Sequence, residues 1–264
     1  MFDDQFDSTP LGHRLGDTCR VIDHITTAIE CPSSAPTAVR QPFSRALVDL
    51  LTDLGRHMSA TWMRRQRHHL TLWWSGVVQT VAHRTRRGRP LFFADRLALR
   101  RLTVGMDAYT DLVELACGWE LPPAILALPE IRRIRGIVTD ITVFLDDLYS
   151  VERERVDGTD DNVVLAWEAE GLSPSAARDR AVERIWRLSD EFTAVTTLLP
   201  ALADATCLPE PDRQGMRNWA DACAHYLRKA SHCQAIIPRY TDTSSSLAHD
   251  HHLDRLVGHH VHVR

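Results

Sequence analysis

The chain has 264 residues, of which 44% are hydrophobic, and this apolar content is enough for the core of one large domain. Its net charge of −4 argues against nucleic acid as the main partner. No segment reaches the roughly 18 apolar residues of a membrane span, and no charged-then-apolar leader opens the chain, so we expect a cytoplasmic protein without a membrane span.

In chain order, apolar residues recur at helical spacing nearly throughout, and strand signals are few. The predicted helices cover residues 8–30, 43–59, 61–85, 93–115, a segment between Pro129 and residues 157–162, then 176–197 and 214–234. Ser173 followed by Pro174 is a typical helix start, with serine as the cap. We therefore predict an all-α fold, with one domain over residues 1–240.

Residues 241–264 differ from the rest because they are rich in Ser, Asp and His. Zinc binding is one interpretation of these histidines. Since their spacing fixes no ligand geometry, we favour a disordered His/Ser-rich tail that picks up metals only adventitiously.

Asp146, Ser150 and Glu154 lie four residues apart in a segment whose apolar pattern indicates a helix. Because four residues advance about 400° and 6 Å along an α-helix, the three side chains share one face. Such a column of oxygens suits Mg²⁺, which a few carboxylates and substrate phosphates commonly hold. The alternative is a solvated helix face, but adjacent acids beside Phe144 and Leu145 would be costly if dry and unpaired.

Asp3, Asp4 and Asp7 form a second acidic cluster with the pattern DDxxD. Asp3 and Asp7 are one helical turn apart. Alone, this pattern is also typical of a frayed, solvated end. Together with the cluster at Asp146, it predicts two helices that face each other and hold several Mg²⁺ ions around one diphosphate.

The two motifs, in this order, resemble those of class I terpene synthases of the bacterial type, which carry DDxxD and a later (N/D)DxxSxxxE. The resemblance implies a single-domain helical bundle around a central cavity, with three Mg²⁺ ions. It also implies a prenyl diphosphate substrate, for which farnesyl diphosphate is our choice, ionised and cyclised to a terpene hydrocarbon or alcohol. A homodimer is left open. The implied metal ligands are Asp3, Asp7, Asp146, Ser150 and Glu154.

The resemblance assigns further residues to the diphosphate. The family's sensing arginine lies 46 residues before the second motif, which gives Arg100. Arg101 is a rival because an expected helix break, Gly105, lies four residues after it. At such a break, freed carbonyls would direct partial negative charge at a carbocation, although a simple packing glycine is the alternative. The predicted catalytic residues are Arg100, Arg239 and Tyr240, and Arg153 completes the diphosphate-binding set.

One departure concerns the start of the chain, because family members have several helices before the DDxxD motif. We expect an N-terminally truncated bundle, a misassigned start, or a partner that fills the gap. Two rival functions follow. A chain-elongating prenyltransferase would show a second DDxxD in place of the motif at Asp146, and a noncatalytic relative would act as a helical interaction protein.

Overall fold

The computed structural model describes residues 6, 9–30, 42–86, 90–159 and 161–236, and within these ranges it contains helices and no strand. The predicted all-α class is confirmed. The chain divides into two compact units, one within residues 6–86 and the other within residues 90–236. None of the helices in the described ranges is long and apolar enough to cross a bilayer. The predicted tail, residues 241–264, lies outside the described residues.

The first unit consists of a 3-10 turn followed by helices that pack on one another. These elements are the turn Pro10–His13, α1 (Leu15–Glu30), α2 (Pro42–Leu54) and α3 (Ala60–Thr85). In α1 the fully buried Val21, Ile25 and Ala28 recur at three- and four-residue steps, so one face packs against α2 and α3. Ser59 caps α3 by accepting a hydrogen bond of 3.1 Å from the Trp62 backbone. This cap and the turn before it end α2 five residues earlier than predicted.

The second unit is built around one long helix. Its elements are α4 (Phe93–Thr103), α5 (Met106–Cys117), α6 (Pro123–Leu126), α7 (Pro129–Asp157), α8 (Val163–Ala169), α9 (Pro174–Thr197), α10 (Leu199–Ala205) and α11 (Glu210–Ile236). Helix α7 packs against α4, α5, α8, α9 and α11. Its residues Ile134, Ile137 and Val143 are inaccessible to solvent, as expected of a helix that is apolar on most sides. The motif at Asp146 therefore lies on the central helix of this unit.

Two interruptions position the site. The predicted helix 93–115 is interrupted at Gly105, whose φ of +69° is not helical and separates α4 from α5. Helix α7 ends at Asp157 and is followed by Gly158, again with φ +69°. Helix α8 begins six residues after Asp157, at Val163. An L-residue is strained at such φ values, which favours glycine. The prediction of a break at Gly105 is thus confirmed, whereas α8 was not predicted.

Candidate active site

The three predicted ligands on α7 differ in their exposure. Ser150 is buried, and the side chains of Asp146 and Glu154 are 26% and 17% exposed. They lie on successive turns of one continuous helix, as the four-residue spacing predicted. The column thus has a partly exposed carboxylate at each end and a buried hydroxyl between them. A hard cation can use such a set of oxygens.

Arg100, on α4, contacts the first residues of this motif. Its Nη2 donates to Asp146 Oδ2 at 2.7 Å, and its Nε donates to Asp147 Oδ1 at 2.9 Å. Its Nη1 donates to Thr103 Oγ1 at 3.1 Å, so that all three nitrogens are held. Burial lowers the pKa of the guanidinium, but the charges of Asp147 and Asp146 outweigh it and raise that pKa above its ordinary value. Arg100 is therefore a fixed positive charge beside the motif.

Arg101, the rival candidate, faces elsewhere. Its Nε and Nη2 donate to the two oxygens of Asp140 at 2.6 and 2.8 Å, a bidentate pair. Asp140 is 2% exposed and lies six residues before Asp146 on α7. Neighbouring residues on a helix point about 100° apart, which is why the two arginines meet different carboxylates. The geometry favours Arg100 as the arginine beside the predicted ligands.

Asp147 is a site residue that the sequence reasoning missed. Its carboxylate is completely buried, pairs with Arg100, and accepts a hydrogen bond of 2.6 Å from the backbone of Val163. Burial raises the pKa of Asp147 to about 6, although the Arg100 charge opposes that rise. A signal was available, because Asp147 is next to Asp146 and points to a different face of a helix that is apolar on most sides.

Glu154 ends the oxygen column. Burial and the negative charge of Asp147 raise the pKa of Glu154 to about 7, although the Arg100 charge opposes that rise. Its Oε2 is buried and has no hydrogen-bond partner among the described residues. A buried carboxylate oxygen left in this way is a ready cation ligand. Arg153 lies beside it, with Nη2 3.9 Å from Glu154 Oε1.

Asn162 is the second residue that was missed. Its side-chain oxygen caps α8 by accepting hydrogen bonds from the backbones of Val164 and Leu165, at 2.8 and 3.3 Å. Its Nδ2 donates to the backbone oxygen of Asp147 at 2.8 Å and contacts Ser150 Oγ at 3.4 Å. Asparagine directly before an apolar run is a helix-start signal, and Asn162 caps the start of α8 here, whereas the prediction placed it only at the end of α7.

The other predicted site residues, Asp3, Asp7, Arg239 and Tyr240, lie outside the described residues. In the described ranges, no three His, Cys, Asp or Glu side chains are close enough to hold a metal ion together. The oxygens of Asp146, Ser150 and Glu154 are of the type that Mg²⁺ prefers and fit a share of its ligand shell. The remaining ligands would come from other residues, from waters or from a substrate.

Comparisons with known proteins bear on this site. The model of a family described as terpene synthase family 2, C-terminal metal binding, matches residues 1–191. The chain is 28% identical, over 86% of its length and 66% of the relative's, to 7-epi-alpha-eudesmol synthase ((2E,6E)-farnesyl diphosphate cyclizing) of Streptomyces viridochromogenes. It is 25% identical, over 88% of its length and 68% of the relative's, to pentalenene synthase of Streptomyces arenae. It thus spans about two thirds of the length of these relatives.

The fold agrees with these matches. Germacradien-4-ol synthase from Streptomyces citricolor has a similar crystal structure, with a TM-score of 0.79 and 25% identity over 89% of this chain and 74% of that one. The resemblance to terpene synthases, first indicated by the two motifs, is confirmed by the family match, which covers well over half of the chain. The chain belongs to the metal-binding terpene synthase family, and its helical fold is that of the bacterial class I enzymes.

Proposed function

We propose that this protein is a Mg²⁺-dependent terpene cyclase that ionises a prenyl diphosphate and cyclises the resulting carbocation to a hydrocarbon or alcohol. Farnesyl diphosphate is the proposed substrate, since a relative that matches 86% of the chain is named for cyclising it. The observation that carries the proposal is the contact of Arg100 with Asp146, at the head of the Asp146, Ser150 and Glu154 column.

In this proposal Asp146, Ser150 and Glu154 hold Mg²⁺ together with Asp3 and Asp7. Bound there, the metal stabilises the negative charge that develops on the diphosphate. Three ions per site are proposed from the family resemblance. The buried Oε2 of Glu154 has no hydrogen-bond partner within the described part of the chain, which supports the assignment of Glu154 as a ligand.

Arg100 and Arg153 act on the diphosphate itself, and we assign the same role to Arg239 and Tyr240. Guanidinium groups donate charge-assisted hydrogen bonds to phosphate oxygens in a fixed, forked geometry. The allylic C–O bond breaks heterolytically, and its electron pair leaves with the diphosphate. Donors that are already oriented towards the departing oxygens lower this barrier because they need no reorganisation.

The carbocation must then be kept from water until a ring has formed. Loss of a proton gives a hydrocarbon, and addition of one water gives an alcohol. Gly105 interrupts the helical path five residues after Arg100, and carbonyls near such a break direct partial negative charge outward. We propose that this break faces the hydrocarbon chain. The central cavity, a homodimeric assembly and a cytoplasmic location stay predictions.

The proposal is tested by incubating the purified chain with geranyl, farnesyl or geranylgeranyl diphosphate and Mg²⁺, with EDTA as the control. Gas chromatography and mass spectrometry of a hexane extract identify the products. Cyclic terpenes that disappear with EDTA support the proposal, with farnesyl diphosphate the best substrate. Longer prenyl diphosphates would instead indicate a chain-elongating enzyme, and no product from any substrate would indicate a noncatalytic relative.

A further inference from the structure

Asn162 uses both ends of its side chain between two helices. The oxygen caps α8 through the backbone N–H groups of Val164 and Leu165. The amide nitrogen donates to the backbone oxygen of Asp147 at 2.8 Å and reaches Ser150 Oγ at 3.4 Å. The residue is fully buried. A buried amide whose donor and acceptor are both engaged has one allowed orientation, so it fixes the two helices relative to each other.

Asp147 on α7 and the first residues of α8 are joined by two hydrogen bonds, one to the backbone of Asp147 and one to its side chain. While the Asn162 side chain donates to the Asp147 backbone, the Val163 backbone donates to the Asp147 carboxylate at 2.6 Å. The same carboxylate accepts from Arg100. The start of α8 therefore determines where Asp147 lies and, through Asp147, where the Arg100 guanidinium lies.

The Asn162 amide also restricts Ser150. A serine hydroxyl has one donor and two acceptor lone pairs. When the amide approaches Ser150 Oγ, it occupies one lone pair and leaves the other for a cation. Groups that orient metal ligands in this manner change metal affinity by roughly 10- to 100-fold when removed.

We propose that Asn162 is a positioning residue of the metal site, which orients Ser150 for Mg²⁺ and, through Asp147, orients Arg100 for the diphosphate. Asn162 itself touches neither metal nor substrate. This inference rests on the proposed function.

The test separates the cap from the amide donor. In Asn162→Ser, the hydroxyl oxygen keeps the cap of α8, but the amide donor is lost without a change of charge. Ser173→Ala is the matched control, because Ser173 caps α9 by accepting from Ala176 at 3.2 Å and is exposed. Removing that cap lowers the Tm, and Ser173 lies at the start of α9 rather than on the motif helix α7.

Two quantities are measured for each variant: the Mg²⁺ concentration for half-maximal turnover of farnesyl diphosphate, and the Mg²⁺ concentration at which inorganic diphosphate raises the Tm. We expect Asn162→Ser to raise both by roughly tenfold or more, with an intact far-UV circular dichroism spectrum. Ser173→Ala should lower the Tm and leave both Mg²⁺ concentrations unchanged.

An Asn162→Ser variant with wild-type Mg²⁺ dependence in both measurements would overturn the inference. So would a loss that Ser173→Ala reproduces, because a general loss of stability would then explain it. If the wild type shows the thermal response without making product, the proposed function fails while Asn162 is still tested by the Tm. If the wild type shows neither, the metal site itself is wrong, and the role of Asn162 with it.

Discussion

Arg100 and Asp146 are joined by an ion pair of 2.7 Å between Nη2 and Oδ2, although the proposed function gives them different partners. Asp146 is assigned to Mg²⁺ and Arg100 to the diphosphate. Arg100 can give up Asp146 and keep a carboxylate partner, because its Nε and Nη2 both contact Asp147 Oδ1. Asp147 is thus the anchor that keeps the guanidinium at the site.

The first prediction compares the two adjacent arginines. Arg100→Lys keeps the charge but loses the fork that reaches Asp147, Asp146 and Thr103, so we expect kcat/KM to fall by at least roughly 100-fold. In Arg101→Lys the ammonium can still pair with Asp140, and activity should change little. Steady-state kinetics of diphosphate release measure both. Equal losses in the two variants would contradict the choice of Arg100 as the diphosphate-sensing arginine.

The second prediction concerns the predicted metal ligands. Asp146→Ala and Glu154→Ala should each abolish product formation, because a ligand is removed from a scaffold that stays folded. Glu152→Ala is the control, since Glu152 lies between them on α7, is 57% exposed and pairs with Arg155 and Arg178. Product analysis and far-UV circular dichroism decide the outcome. The site assignment is rejected if both ligand variants retain activity.

The third prediction is a pH dependence of stability. The folded protein holds the pKa of Glu154 at about 7 and that of Asp147 at about 6, both above the values near 4 of unfolded chains. At a pH between the unfolded and the folded pKa values, the folded state binds more protons than the unfolded state. The contribution of these two groups to the free energy of unfolding is therefore highest at low pH, and it falls as pH rises through the folded pKa values.

Thermal melts in EDTA from about pH 5 to about pH 7.5 measure this effect. The Tm of the wild type should fall over this range more steeply than that of Glu154→Gln, which lacks one of the two titrating groups. Mg²⁺ with inorganic diphosphate should reverse the fall at the upper end, because metals bind the deprotonated carboxylate. A Glu154→Gln variant with the same slope as the wild type would show that Glu154 does not titrate in this range.

The fourth prediction concerns the helix break. Gly105→Ala places a Cβ at φ +69°, which should lower the free energy of unfolding by about 1–2 kcal/mol. Gly118→Ala is the control for strain, since Gly118 ends α5 with φ +63° and a Cβ there meets no atom within 4 Å. If the break faces the substrate chain, only Gly105→Ala changes the ratio of products in the hexane extract. Identical product ratios in both variants and the wild type would remove that role.

Much of the fold could be predicted because helical periodicity is a local property. Helix α9 begins at the predicted Ser173 cap, and α3 matches the predicted 61–85 within one residue. The short α8 was missed because seven residues carry too little periodicity to be distinguished from a loop. For α2 the predicted end was wrong, since the apolar stripe did not reveal the turn before Ser59.

Sequence alone could predict the arrangement of only those site residues that lie on the same helix. The spacing of Asp146, Ser150 and Glu154 fixes their common face without knowledge of any neighbour. The choice between Arg100 and Arg101 depends on which face of α4 meets α7, and this is a property of tertiary packing. The roles of Asp147 and Asn162 arise from contacts between α7 and α8, which no spacing within one helix indicates.

The ion pair between Arg100 and Asp146 makes the guanidinium a competitor of any cation that approaches this carboxylate. A magnesium ion that arrives alone must displace it and leave its charge less well neutralised. A diphosphate that arrives with the ion offers the guanidinium a new anion. The two ligands should consequently bind synergistically, each increasing the affinity of the other by the same factor. A protein arranged in this way loads its metal chiefly when its substrate is present.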